Sequence, residues 1–192
     1  MFNDRYGLTD VVIKGQKTMT RRIEFAKELQ KMIDDSDSYY YDNGYLVFAT
    51  QDVDIHHVKT RYKVGEVVAV AQSYEAAGFD PEYSIEGMLY AKKHAGWRNK
   101  MFVSAKYMSH RIRITGIKCE RLQDISDDCC LKEGIRYVPD VNMFYFEDVS
   151  REEGFYFGNP REAFAALIDK VSGRGTWASN PWVVVYEFEL VK

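Results

Sequence analysis

The eight residues Gly15-Gln16-Lys17-Thr18-Met19-Thr20-Arg21-Arg22 bring a primary amine, two hydroxyls and two guanidiniums into one short stretch of chain. In a strand Lys17 and Thr20 would face opposite sides, but in a turn or helix start residues three apart lie about 5–6 Å from each other on one face. That spacing sets an amine beside a hydroxyl. Lys17 is also surrounded by Lys14, Arg21 and Arg22, and like charges with partial burial lower a lysine pKa, which makes the amine available as a base near neutral pH. Thr20 is then a candidate activated nucleophile. The same spacing also fits a solvated turn whose cations lie in water.

Elements that would hold such residues are legible along the chain. Phe25, Ala26, Leu29, Met32 and Ile33 give Arg21 to Asp35 one apolar helical face. Asn43-Gly44, between aromatic and β-branched residues of Tyr39 to Ala49, predicts a hairpin with a type I′ turn. Tyr62 to Ala71 predicts a turn at Gly65 feeding a strand, and Met101 to Ala105 another short strand. His110 to Leu122 alternates apolar and charged residues until Gly116 breaks the pattern, as a bulge would.

Ser126 to Gly134 reads as a short helix with a serine cap, an acidic first turn and a terminal glycine. Asn159-Pro160 to Ser172-Gly173 repeats that grammar, with proline at the first helical position. Pro181 to Val191 closes on a dense β-former run. Five or six short strands that do not alternate regularly with helices predict a mixed α/β chain with a small β-barrel core rather than a doubly wound sheet.

The whole composition bounds what the protein can be. At 192 residues, 46% hydrophobic and 29% charged, it is long and apolar enough for one self-sufficient core. We expect a single domain over 1–192 with insertions near 23–60, 74–100 and 137–157. A net charge of -3 builds in no long-range attraction to a phosphate backbone, so a polyanion must be met locally. With no secretory leader and no apolar run of about 20 residues, a cytoplasmic location and no membrane partner are expected. Cys119, Cys129 and Cys130 have no CxxC spacing, so reduced, structural thiols are expected rather than a disulfide framework or zinc ribbon.

The opening stretch is similar to the signature of the ASCH domain family, Gly-x-Lys-x-x-(Glu or Thr)-x-Arg, through Gly15, Lys17, Thr20 and Arg22. The resemblance continues in the family's order through YKVGEVVAV at Tyr62 to Val70, RIRITGIKCERLQDIS at Arg111 to Ser126 and WASNPWVVVYEFEL at Trp177 to Leu190. It is strongest to the larger bacterial and phage-associated members. It implies a PUA-like barrel with flanking helices that binds RNA or nucleotides. One small branch hydrolyses the acetyl amide of acetylcytidine with a Lys, a Thr and a Glu, which pair with Lys17, Thr20 and Glu133. Where longer relatives often carry an Arg-Glu pair after the central strand, followed by an aromatic, this chain has Ala71-Gln72-Ser73-Tyr74.

The resemblance thus implies an RNA- or nucleoside-directed protein, with Lys17 as base, Thr20 as nucleophile and Glu133 as proton donor to the leaving amine in deacylation of a modified cytidine. Gly15 would let the backbone approach the ligand, and Arg21 and Arg22 would bind it. No cofactor and no metal are expected. A non-catalytic RNA- or nucleotide-binding module is the alternative, in which the same cations hold a phosphate. For that role Arg111, Arg113 and Lys118 form a basic stripe near Arg121, with Trp97, Tyr107 and Trp177 as stacking surfaces for single-stranded RNA. A barrel serving only as interaction scaffold is a third reading. His56-His57 with Asp52 and Asp54 have no established metal-ligand spacing.

Overall fold

A computed structural model describes residues 2–36, 38–50, 55–79 and 95–191. Helix α1 (Leu8–Ile13), strand β1 (Met19–Arg22) and helix α2 (Lys27–Asp34) come first. Strands β2 (Ser38–Asp42), β3 (Tyr45–Ala49), β4 (Ile55–Lys59), β5 (Val67–Ala69) and the long β6 (Arg111–Arg121) follow. Helix α3 (Asp127–Lys132) leads into β7 (Arg136–Val138), β8 (Met143–Asp148) and β9 (Glu153–Phe157), then helices α4 (Pro160–Ser172) and α5 (Thr176–Ser179) and strand β10 (Trp182–Val191). The fold is therefore mixed α/β, with all strand pairings antiparallel.

The central sheet has the order β1-β10-β6-β5, flanked by a β2-β3-β4 sheet and a β7-β8-β9 sheet. Among the described residues these sheets are open. Val183, Val184, Val185 and Tyr186 of β10 are all buried, because both faces of the central sheet are covered. Val183 and Val185 pack with Leu8 and Val11 of α1, Cys130 of α3 and Phe164 and Leu167 of α4. Val184, Tyr186 and Phe188 pack on the other side with Ile112 and Ile114 of β6 and Leu46 and Phe48 of β3. A strand buried on both faces reads as a continuous apolar run instead of an alternation.

Local signals explain several elements. Asn43 and Gly44 both take positive φ between β2 and β3, as a type I′ turn demands. The β6–β10 register slips at Gly116, where Glu187 faces Gly116 and Phe188 faces Ile114, leaving Thr115 as the extra residue of a bulge. Ser126 accepts the Cys129 N–H and Asn159 the Glu162 N–H at the starts of α3 and α4.

Three expectations fail for identifiable reasons. Met19 to Arg22 is neither turn nor helix start but an edge strand, because it pairs in register with Glu187 to Val184 of β10. Helix α2 consequently starts at Lys27. Met101 to Ala105 forms no strand: Phe102 has φ +66, outside the β region, and Val103 packs instead into a small cluster around Tyr74, Trp97 and Met108. The described residues form ten strands, not five or six, since β1, β4 and the β7-β8-β9 sheet are short elements defined by pairing more than by local pattern. No helix among the described residues is long and apolar enough to cross a membrane.

Candidate functional site

The end of α1 sets the position of Lys17. Gly15 takes φ +71, and the N–H groups of Gly15, Gln16 and Lys17 return to the carbonyls of Val12 and Val11, an αL helix termination that suits glycine. The Thr18 N–H then bonds the Lys132 carbonyl at the end of α3, which pins the segment against that helix. Gly15 is exposed and does not line the adjoining cleft. What its positive φ does here is turn the chain out of α1.

Lys17 is 2% exposed. Its Nζ donates to the Glu133 main-chain carbonyl at 2.6 Å and to Glu133 Oε2 at 2.5 Å. Glu133 Oε1 accepts Arg21 Nη1 at 3.0 Å, and Arg21 reaches Glu120 Oε1 through Nε at 2.9 Å and Nη2 at 2.5 Å. Lys118 holds the other Glu120 oxygen at 2.5 Å. The result is a chain of alternating charge that runs from buried Lys17, Glu133 and Arg21 to half-buried Glu120 and the more exposed Lys118. Gly134 closes α3 at φ +105, and a Cβ there would stand 3.2 Å from Val11 Cγ2 and 3.5 Å from Lys17 Cδ. A side chain at 134 would therefore crowd the wall that seats the lysine.

Burial lowers the Lys17 pKa below its ordinary value, with Arg21 and Arg22 adding to the effect and Glu133 opposing it. For Arg21 burial also acts downward, but the Glu133 and Glu120 carboxylates outweigh it and the net shift is upward. Glu120 is pushed up by burial and pulled down further by Lys118 and Arg21, so it stays ionised below the usual carboxylate range.

A cleft of about 450 Å³ opens beside this chain. Its lining includes Lys17, Arg21, Arg22 and Arg61 against Glu24 and Glu133, so four cations face two carboxylates. In a chain of net charge -3 this is a locally positive surface, which favours an anionic or electron-rich ligand. Phe164, Leu167 and Val183 form its apolar floor.

The structure brings Lys17, Arg21 and Glu133 into direct contact, with Thr20 and Arg22 on the same cleft. It does not pair Lys17 with Thr20 as a helical turn would. Along β1 the side chains alternate, Met19 and Arg21 inward toward the helices and Thr20 and Arg22 half-buried on the other side. Among the described residues no hydrogen bond joins Thr20 to Lys17. Both still reach the cleft because β1 is the edge of its sheet.

Arg111 and Arg113 are not brought to the cleft. Arg113 pairs with Glu189 at 2.8 Å, Lys118 with Glu120, and Arg121 with Asp34, so three of the stripe's four cations already face carboxylates. Trp97 is buried in the Tyr74 cluster and Trp177 packs edge-on against Phe164. Those rings are committed to packing. His56 and His57 lie on β4, while Asp52 and Asp54 lie outside the described residues. Among the described residues no group of three or more His, Cys, Asp or Glu side chains is placed to hold a metal.

Sequence reading missed Glu24, Arg61 and Tyr186. The Tyr186 hydroxyl donates to Glu24 Oε2 at 2.7 Å, and Arg61 Nε stands 3.3 Å from Glu24 Oε1. These residues share no local spacing; the pairing of Thr20 with Tyr186 across β1 and β10 and the hydrogen bond from the Arg61 main-chain N–H to the Tyr186 oxygen gather them. No family model, no curated protein and no solved structure matches the chain.

Proposed function

We propose that this chain is an ASCH-like protein whose open central sheet corresponds to a PUA-like barrel core, and that its cleft holds a modified nucleoside, alone or within RNA, for removal of an acyl group from a cytidine amine. The supporting observation is the fully buried Lys17, 2.5 Å from Glu133 Oε2, at the wall of a net-positive cleft that Thr20 and Arg22 also line. Burial that lowers the lysine pKa suits an amine that must take a proton.

In this reading Thr20 Oγ1 attacks the acyl carbonyl, and its proton passes through a water in the cleft to Lys17. The C–N bond then breaks. The Lys17–Glu133 pair returns a proton to the leaving amine, while Arg22 faces the developing oxyanion. Water hydrolyses the acyl-threonine and regenerates the hydroxyl. Thr20→Ala should abolish acetylcytidine turnover with the thermal melt unchanged, and retained turnover rejects Thr20 as nucleophile.

The second reading is binding without turnover. It is favoured by the missing Lys17–Thr20 hydrogen bond and by the mutual pairing of Lys17 and Glu133. It predicts salt-sensitive RNA or nucleotide binding, weakened by Arg22→Ala, in a protein that leaves acetylcytidine intact.

A further inference from the structure

The cleft contains a carboxylate that neither the Lys17 network nor Thr20 accounts for. Glu24 follows β1, and its side chain is 13% exposed. Its Oε2 accepts the Tyr186 hydroxyl at 2.7 Å, and the Tyr186 oxygen in turn accepts the Arg61 main-chain N–H at 3.0 Å, so the phenol that orients the carboxylate is itself fixed. Oε1 is buried and receives no hydrogen bond. Its nearest cation, Arg61 Nε at 3.3 Å, belongs to a side chain that is 55% exposed and so is held in place weakly.

A buried carboxylate oxygen without a donor is costly, and native structures leave few such groups without a reason. Here the surroundings supply one. Glu24 and Arg61 line the charged cleft, and Tyr186 lines an adjoining pocket of about 130 Å³ walled by Val68, Val70, Ile112 and Phe188. Phe2, Thr20 and Arg22 border both spaces. A ligand that spans the two passes the Glu24–Tyr186 pair.

We infer that Glu24 is a specificity-determining residue whose Oε1 accepts an N–H of the bound ligand, in the place that the Arg61 guanidinium now occupies. This rests on the nucleoside reading. An ionised carboxylate only accepts hydrogen bonds, so it favours an amine or amide N–H and opposes a carbonyl oxygen or a fully alkylated nitrogen. Because Oε2 is already taken by Tyr186, one oxygen remains and a single N–H is the matching partner. The exocyclic nitrogen of a cytosine, free or acylated, carries such a donor.

The test is calorimetric binding of cytidine and of N4,N4-dimethylcytidine, which has no N–H at that position, to the full chain. Wild type should prefer cytidine by about tenfold to a hundredfold, the range for a hydrogen bond to a charged group. Glu24→Met should bring the ratio close to one, and Glu24→Gln, which keeps an acceptor oxygen without the charge, should fall between. If Glu24→Met fails to fold, an unchanged ratio in Glu24→Gln overturns the inference. A wild-type ratio near one, or variants that keep the wild-type ratio, overturns it while nucleoside binding stands. Binding of neither nucleoside by wild type overturns both.

Discussion

Removing Glu133 and removing Lys17 should have unequal consequences, and the inequality can be worked from the contacts. Glu133→Gln leaves Arg21 with Glu120 as a partner, but leaves the fully buried Lys17 ammonium with neutral acceptors alone, the main-chain carbonyl and the amide oxygen of residue 133, and no carboxylate. An unpaired buried charge escapes its cost by losing a proton. For a lysine of ordinary value 10.5, deprotonation at pH 7 costs about 5 kcal/mol at about 1.4 kcal/mol per pH unit, which is a ceiling on the damage and matches the loss of about 3–5 kcal/mol typical of a broken buried pair.

Because folded Lys17 then binds fewer protons than unfolded Lys17, stability rises with pH until the ordinary lysine value is passed. The deficit of Glu133→Gln should therefore shrink by about 2–3 kcal/mol between pH 7 and pH 9. Lys17→Met removes the cation and leaves Glu133 paired with Arg21, so it should cost less, about 1–3 kcal/mol, with little pH dependence over that window. Urea unfolding of both variants at pH 7, 8 and 9 measures this. Equal losses, or a Glu133→Gln deficit that is flat with pH, would show that Lys17 does not carry a buried charge that depends on Glu133.

Other perturbations follow from single contacts. Gly134→Ala places a Cβ 3.2 Å from Val11 at φ +105 and should cost about 1–3 kcal/mol, read as a lower thermal midpoint. Asn159→Ala removes the side-chain acceptor for the Glu162 N–H at the start of α4 and should cost about 1 kcal/mol in urea unfolding. Burial pushes the Cys119 and Cys130 thiols up to about 12, so at pH 8 both should resist iodoacetamide in the folded protein, while half-buried Cys129 is alkylated first, as peptide mapping would show.

What sequence made legible is what local chemistry decides. Asn43-Gly44, the serine and asparagine caps and the break at Gly116 each satisfy a backbone requirement within a few residues, so each identified its element without knowledge of the fold. Strand β1 carries no such mark. Met-Thr-Arg-Arg is extended because β10, at the other end of the chain, offers it a partner, and that long-range pairing reversed the inferred relation of Lys17 to Thr20. Glu133 became a candidate through the family resemblance, yet its grip on Arg21 as well as Lys17 depends on strand alternation. Glu24 and Arg61 had no signal at all.

The edge position of β1 is what makes the opening stretch more than a charged turn. Alternation divides its side chains between two faces, sending Arg21 into the buried ion network and Thr20 and Arg22 toward the apolar pocket. In the middle of a sheet those faces would be isolated from each other by neighbouring strands. At an edge, the cleft wraps around the strand and collects both. In the proposed reaction a group seated over β1 would meet a hydroxyl from one face and a lysine–glutamate pair from the other, with a water carrying the proton between them. The same geometry would let Tyr186, the cross-strand neighbour of Thr20, orient the proposed Glu24 acceptor even though it lies deep in the core.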